Sequence, residues 1–470
     1  MFEELFLVIF ISACLLSIRN IKYGILFIII ATPFNLLIKT SFGMSFFSKI
    51  WHNLLILLLC LLIFARSAIN KNYSIKLNKL DIVIIWVLFY GVFSIFYSYL
   101  IVDSWFVAFQ GFRLYYFGIL LYFITRYYIR RLEDVSTLVT TIMGVILIAS
   151  LELIAEFTLL NLKIISSQDL MWIGRLPELY AGFYGQGGAT TAMFADIIRP
   201  WGIFYHIQYS SALTLIGVLM SLPFFIFSNN NFSYKPIDNL FLKPMFFYVL
   251  FIALFLSTAR TVIFAFLLTS LLMFTIYKIS KKKLLLVTIL FVMLGSINFK
   301  EFTEVYIVKP LLEEDTHIKE TGLAIKAIPS VLQDSTIISF LFGDGFKPDP
   351  YAKEIIGVVS FDDNSHGLKE GAEGILSFSY EAGLLGIILF ILQNISAFKR
   401  GINITKREIP NSYQKLLIGL SFVILGIFFS SVHVMPITAA GIQYIYYIIL
   451  GIIGSFNVEW FKIRKSKVAI

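Results

Sequence analysis

Long apolar stretches recur thirteen times along this chain, divided mostly by short basic connections. About 20 residues of α-helix cross a hydrocarbon core. Inside lipid every backbone N–H and C=O must find a partner within the protein, which leaves helices or closed barrels. The stretches lie at 3–18, 23–38, 50–65, 81–101, 106–125, 135–160, 201–227, 244–258, 261–279, 284–299, 372–398, 414–434 and 437–457. They are continuous rather than alternating, so helices are expected. Only 14% of the 470 residues are charged and 58% are hydrophobic, too few charges to cover a soluble domain of this length. The expectation is an all-α, polytopic transmembrane helical bundle of about 12–14 spans, with a large, partly helical extracytoplasmic loop. Residues 1–299 would hold helices with an outer loop at 161–200, residues 300–371 the large loop, and 372–470 the remaining helices. The first stretch has no small-residue cleavage site behind it and is expected to be retained.

The distribution of charge gives sidedness. Cytoplasmic loops collect Lys and Arg, and alternate connections here are basic. They contain Arg19 and Lys22; Arg66, Lys71, Lys76 and Lys79; Arg126, Arg130 and Arg131; and Lys235 and Lys243. Lys278 and Lys281 to Lys283 follow, then Lys399, Arg400, Lys406 and Arg407, then Lys462, Arg464, Lys465 and Lys467. Thirteen spans put all of these on one side, with Glu3 and Glu4 opposite. The net charge of +9 is therefore spent on topology rather than on nucleic acid. The segment 300–371 reverses the pattern, with thirteen Asp and Glu against seven Lys and no Arg. Cys14 and Cys60 both sit in apolar runs and offer neither a disulfide framework nor a zinc site.

Ionisable side chains inside spans cost several kcal/mol unless they have a partner, a wet cavity or a task. Arg260 lies in Leu256-Ser257-Thr258-Ala259-Arg260-Thr261, in an apolar run too long for one helix. Two short helices meeting at a tight turn, with Arg260 at the outer mouth, resolve that length. Arg199 precedes Pro200-Trp201-Gly202 at the outer start of the seventh span, where proline suits a first helical turn. Each arginine alone reads as an interfacial anchor; together they offer planar donor forks suited to phosphate oxygens. Arg113 lies several residues inside the fifth span and either pairs with Glu152 or Glu156 of the sixth, or contacts substrate. The Gly- and Tyr-rich stretch 174–198 places Arg175, Tyr180 and Tyr184 as candidate glycan contacts, or as a segment resting on headgroups. Asp362, Asp363, His366, Glu370, Glu373 and Glu381 crowd the end of the large loop. Their spacing matches no calcium or zinc pattern, so no metal is expected. A histidine among carboxylates also suits a general base.

These elements fall in a telling order: Arg199-Pro-Trp-Gly-Ile-Phe, Ser257-Thr-Ala-Arg260, Phe342-Gly343-Asp-Gly345-Phe, His366, and Tyr380-Glu381-Ala-Gly383-Leu-Leu-Gly386. The set resembles the O-antigen polymerase and O-antigen ligase family of bacterial membrane glycosyltransferases, over roughly 199–390. The resemblance implies an enzyme of the bacterial inner (cytoplasmic) membrane, its active site facing outward. It would take undecaprenyl-pyrophosphate-linked oligosaccharides as donor and acceptor, use neither nucleotide sugar nor cofactor, and release the lipid pyrophosphate. Arg199 and Arg260 would hold the pyrophosphate, and His366 or Glu381 would act on the acceptor hydroxyl. The family places asparagine and an aromatic after its histidine, whereas Gly367 follows here, so Glu381, Glu370 and Asp363 stay open as the base. The resemblance implies building of O-antigen, capsule or exopolysaccharide, with a chain-length regulator protein as a partner. A ligase of the same family and a polysaccharide flippase are the alternatives. The topology is directly testable: a cysteine at position 320 should react with an impermeant maleimide in intact cells, while one at 282 should react only after permeabilisation.

Overall fold

A computed structural model describes residues 2–35, 38, 46–69, 77–165, 193–194, 197–198, 207–227, 244–257, 259–278, 337–343, 375–407, 411–431 and 440–456. Apart from one strand pair it is helical there. The helices are α1 (Phe2–Arg19), α2 (Ile21–Ala31, running into a 3-10 turn Thr32–Phe34), α3 (Phe46–Ile69), α4 (Lys79–Val102), α5 (Trp105–Tyr115), α6 (Ile119–Tyr128) and α7 (Leu132–Asn161). They continue with α8 (Ile207–Ile226), α9 (Pro244–Leu256), α10 (Arg260–Ile276), α11 (Ile337–Phe342), α12 (Ile375–Thr405), α13 (Asn411–Ser430) and α14 (Ala440–Ser455). Two-residue strands β1 (Met193–Phe194) and β2 (Ile197–Ile198) pair antiparallel, and β2 lies against α7. A helix stands on every candidate span whose residues are described. Six are long and apolar enough to cross a membrane, and four more are apolar but shorter. The candidate span 284–299 and nearly all of the expected large, partly helical loop lie outside the described residues.

Burial separates centre from rim. In α8 the segment Tyr209–Ile226 is 89% buried, against 28% for Ile50–Ile69 of α3. Helix α8 packs on α7, α9, α10 and α13, and α13 also meets α12. The close α8–α13 approach depends on Gly419, where a Cβ would lie 2.8 Å from the Met220 carbonyl oxygen. Small residues bring helices together where no water drives them. The rim exposes Phe64, Trp86, Phe89 and Leu100 over more than half their surface. An apolar exterior around an apolar core marks a multi-pass membrane protein.

Sequence-local chemistry explains where several helices begin and end. Asn78 starts α4 with a capping box: its Oδ1 accepts from Leu80 N (2.9 Å) and Asp81 N (3.2 Å), and Asp81 Oδ2 accepts from Asn78 N (2.6 Å). The helix stops at Asp103, in the left-handed region at φ 52°. The expected turn between α9 and α10 is present. Ser257 Oγ donates to the Leu254 carbonyl (2.6 Å), and Arg260 opens α10.

One cluster ties four helix ends together. Arg126 on α6 grips Asp81 in two contacts, Nε–Oδ1 at 2.9 Å and Nη2–Oδ2 at 2.7 Å, while Tyr122 donates to Oδ1 at 2.5 Å. The Asp81 side chain is 1% exposed. Arg126 Nη1 then donates to the Gly454 carbonyl of α14 (2.7 Å). Arg400 Nη2 reaches the same carbonyl (2.8 Å), and its Nε reaches that of Ile453 (3.1 Å). Cations thus satisfy carbonyls that a helix C-terminus leaves unpaired. Arg66 of α3 similarly donates to the carbonyls of Ile18 and Arg19. Tyr444 of α14 donates to Asn53 of α3 (3.3 Å). Two groups of helix ends thus form: Arg66 of α3 on the end of α1, and Arg126 of α6 with Arg400 of α12 on the end of α14.

Three expectations change. The fifth span is two helices, α5 and α6, broken at Tyr116–Gly118. At Gly118 a Cβ would meet Gln443 of α14 at 2.7 Å, so the chain yields there to let α14 in. The eleventh span is bent at Gly383. No ion pair joins Arg113 to Glu152 or Glu156; among the described residues the ion pair is Arg126–Asp81. Replacing Asp81 with Asn strands Arg126 in the interior, at a cost of about 3 kcal/mol. The variant should melt at lower temperature in detergent, and adding Arg126→Met should recover part of that loss.

Candidate functional site

The bend in α12 and the end of α11 meet. Gly383 adopts φ 61° and ψ −173°, a region only glycine occupies without strain. A Cβ there would strike the Gly343 amide nitrogen and lie 2.5 Å from the Leu341 carbonyl oxygen. Gly343 itself has φ 80°, ending α11 in the left-handed conformation that closes helices. Two of the segments singled out in the sequence, Phe342-Gly343 and Glu381-Ala382-Gly383, are thus in backbone contact.

Helix α4 holds both. Tyr90, Phe93 and Tyr97 are spaced to share one helical face. The Tyr90 hydroxyl donates to the Ala382 carbonyl, one of those the bend removes from the helical ladder. Tyr97 donates to the Gly343 carbonyl at 3.0 Å. The Phe342 ring lies 5.1 Å from Phe93 and 5.6 Å from Tyr97, centroid to centroid. Such contacts are stronger away from water, because no solvent competes for the hydroxyls.

Deeper in the bundle, a narrow crevice with room for about one water is lined by Tyr90, Tyr115, Tyr116, Phe378, Gln393 and Tyr447, among others. The Gln393 amide nitrogen donates to Tyr446 (2.9 Å), whose hydroxyl donates to Asn394 Oδ1 (2.9 Å). Gln393 Oε1 is buried and has no partner among the described residues. These groups form a polar seam between α12 and α14, beside the α5–α6 break.

The predicted residues divide accordingly. Arg113 sits in the last turn of α5 and is half-buried. Arg260 is the first residue of α10, and Glu381 lies in α12 two residues before the bend; nothing of either side chain is described. Arg175, Tyr180, Tyr184, Arg199 and His366 lie outside the described residues. Arg199 directly follows β2, the strand held on α7. Among the described residues no group of His, Cys, Asp and Glu has the makings of a metal site. Sequence reasoning missed Tyr90, Tyr97 and Gln393. The signal was available for α4, as an aromatic and hydroxyl stripe on one face of an otherwise aliphatic span.

No known protein family, characterised protein or solved structure matches this chain. The site therefore rests on its own geometry, and Gly383 tests it. Alanine there forces a left-handed β-carbon into the Gly343 backbone, at a cost of about 2 kcal/mol. A short bismaleimide bridge between cysteines replacing Phe93 and Phe342 should form readily in the parent, once Cys14 and Cys60 are removed. It should form far less in the Gly383→Ala background.

Proposed function

We propose that the chain is a membrane glycosyltransferase that polymerises undecaprenyl-pyrophosphate-linked oligosaccharide units, building O-antigen, capsule or exopolysaccharide at the outer face of a bacterial inner membrane. The observation that carries this reading is the junction of Gly343 with Gly383. Two motif segments that resemble one enzyme family, separate in sequence, share a single contact held by tyrosines of a third helix. A junction of that kind brings Phe342 and Gly343 of the 300–371 segment to the helix carrying Glu381, where an acid or base would be needed.

On this reading the lipid pyrophosphate is the leaving group. The acceptor hydroxyl attacks the anomeric carbon, its proton passes to His366 or Glu381, and the C–O bond to pyrophosphate breaks. Arg199 and Arg260 stabilise the charge that develops on the departing oxygens, the task for which fixed donors in a water-poor site are best suited. Arg260 at the first turn of α10 adds the positive end of a helix dipole to its own charge. Ligation of finished polymer to another acceptor uses the same chemistry and differs only in the acceptor.

One observation favours a transporter instead: α5 and α6 are a broken helix with Arg113 at the break, an arrangement by which transporters build substrate sites. Both readings are tested by the glycan profile of a deletion strain beside a complemented one. Single repeat units in place of a ladder support the polymerase, long polymer left on the carrier supports the ligase, and repeat units trapped on the cytoplasmic face support the flippase. In the complemented strain Arg260→Ala should abolish the ladder and Arg260→Lys should restore little of it, because the donor fork is lost. A full ladder from Arg260→Ala at normal expression overturns the pyrophosphate clamp.

A further inference from the structure

The polar seam between α12 and α14 holds a buried acceptor whose orientation follows from the bonds around it. Asn394 Nδ2 donates to the Phe390 carbonyl at 2.7 Å, so Asn394 Oδ1 is the atom that meets Tyr446. The Tyr446 hydroxyl carries one proton, and it goes to that oxygen at 2.9 Å. Tyr446 can then only accept from Gln393, whose amide nitrogen stands 2.9 Å away. Exchanging the two ends of the Gln393 amide would set two oxygens together with no proton between them. Gln393 Oε1 is therefore left to other partners. The residue is 1% exposed, and Oε1 has no donor among the described residues. A buried carbonyl oxygen without a donor is costly, the more so where lipid surrounds the protein.

The crevice that Gln393 lines supplies the space for a partner. It has room for about one water, between Tyr90 of α4, Tyr115 of α5, Tyr116 of the break, Phe378 of α12 and Tyr447 of α14. Among the described residues none that lines it is charged, so an ion would find no counter-charge there. Gly386 keeps the space open, since a Cβ would lie 3.4 Å from Tyr90 Cε1 and 3.6 Å from Phe378 Cε1. The Tyr90 hydroxyl gives its proton to the Ala382 carbonyl, and its oxygen is still able to accept. The walls thus come from both sides of the Gly383 bend and from the α5–α6 break, the two places where helices are interrupted.

We infer that this crevice binds one ordered water, which donates to Gln393 Oε1 and makes its remaining bonds to the tyrosines around it. Oε1 requires a donor, and the walls admit a neutral molecule of this size. Ordered water is one of the groups that complete hydrogen bonding where backbone is irregular inside a membrane bundle. Bound there, it joins α12 to its neighbours at the level of both interruptions. The site is independent of the function proposed above, and the two stand or fall separately.

The experiment is X-ray hydroxyl-radical footprinting of the purified full chain in phosphatidylcholine nanodiscs, read by mass spectrometry. Radiation turns a bound water into a hydroxyl radical that oxidises the side chains beside it, so burial alone does not protect them. Phe378 and Tyr447 should be oxidised severalfold faster than Phe251 and Phe266, which are also buried but do not line the crevice. Gln393→Met keeps the bulk and removes the acceptor, and it should bring Phe378 and Tyr447 down to that background. Oxidation of Phe378 in the parent no faster than that of Phe251 means a dry crevice and overturns the proposal, whatever the variant does. So does fast oxidation that persists in Gln393→Met. Oxidation that disappears when sodium and potassium are replaced by an organic cation also overturns it, because that would mean an ion site.

Discussion

The carbonyl of Gly454 is the point on which the described bundle converges. It closes α14, and donors from three other segments reach it: Arg126 from α6, Arg400 from α12, and Asn78 from the cap of α4 at 3.3 Å. Behind Arg126 stands Asp81, which also accepts from the Asn78 backbone in the capping box of α4 and from Tyr122. One buried carboxylate thereby fixes a helix start, an arginine rotamer and, through that arginine, a helix end. Gly454 has to be glycine for this to close, since a Cβ would lie 2.7 Å from the Tyr122 hydroxyl and 2.9 Å from Arg126 Cδ. In lipid such bonds meet no competition from water, so register at this end sets register elsewhere.

From that end the helices run to the Gly343–Gly383 junction. The same α4 that is pinned at Asp81 carries Tyr90 and Tyr97 higher on its length, so the cap and the junction are held by one rigid element. The bend at Gly383 turns the upper part of α12, with Glu381, away from the line of the lower part, which Arg400 anchors. The break between α5 and α6 does the equivalent for Arg113, against an α6 fixed by Tyr122 and Arg126. Irregular backbone thus occurs where it is buried in protein, with regular helix below it.

Much of this was legible from residues alone, and the failures have physical causes. Uninterrupted apolar runs announced the helices, and basic residues at their ends proved to join neighbours, Arg66 to the end of α1 and Arg126 and Arg400 to the end of α14. The overlong run around Arg260 forecast the turn that Ser257 makes. The break at Tyr116–Gly118 was not legible, because no proline marks it. It arises from contact with Gln443, far away in sequence, and a span's hydropathy carries no record of its neighbours. The bend at Gly383 was visible only as a glycine, one of 29 in the chain, and nothing local distinguishes it from Gly386 three residues on. Arg126 and Arg400 were read as markers of sidedness; that they also bind carbonyls depends on where α14 ends. Of the two readings left open for Arg113, the pair with Glu152 or Glu156 is not formed among the described residues, because spacing along two helices says nothing about their rotation toward each other.

The Gly454 cluster also has a meaning in time. Its members leave the ribosome in a fixed order: Asn78 and Asp81 first, then Tyr122 and Arg126, much later Arg400, and finally the carbonyl they all address. The early residues can form their ion pair as soon as α4 and α6 are in place, and the contact of Arg126 with the Gly454 carbonyl follows only when α14 arrives. The contact that closes the cluster thus waits for a helix made after all the others that it joins.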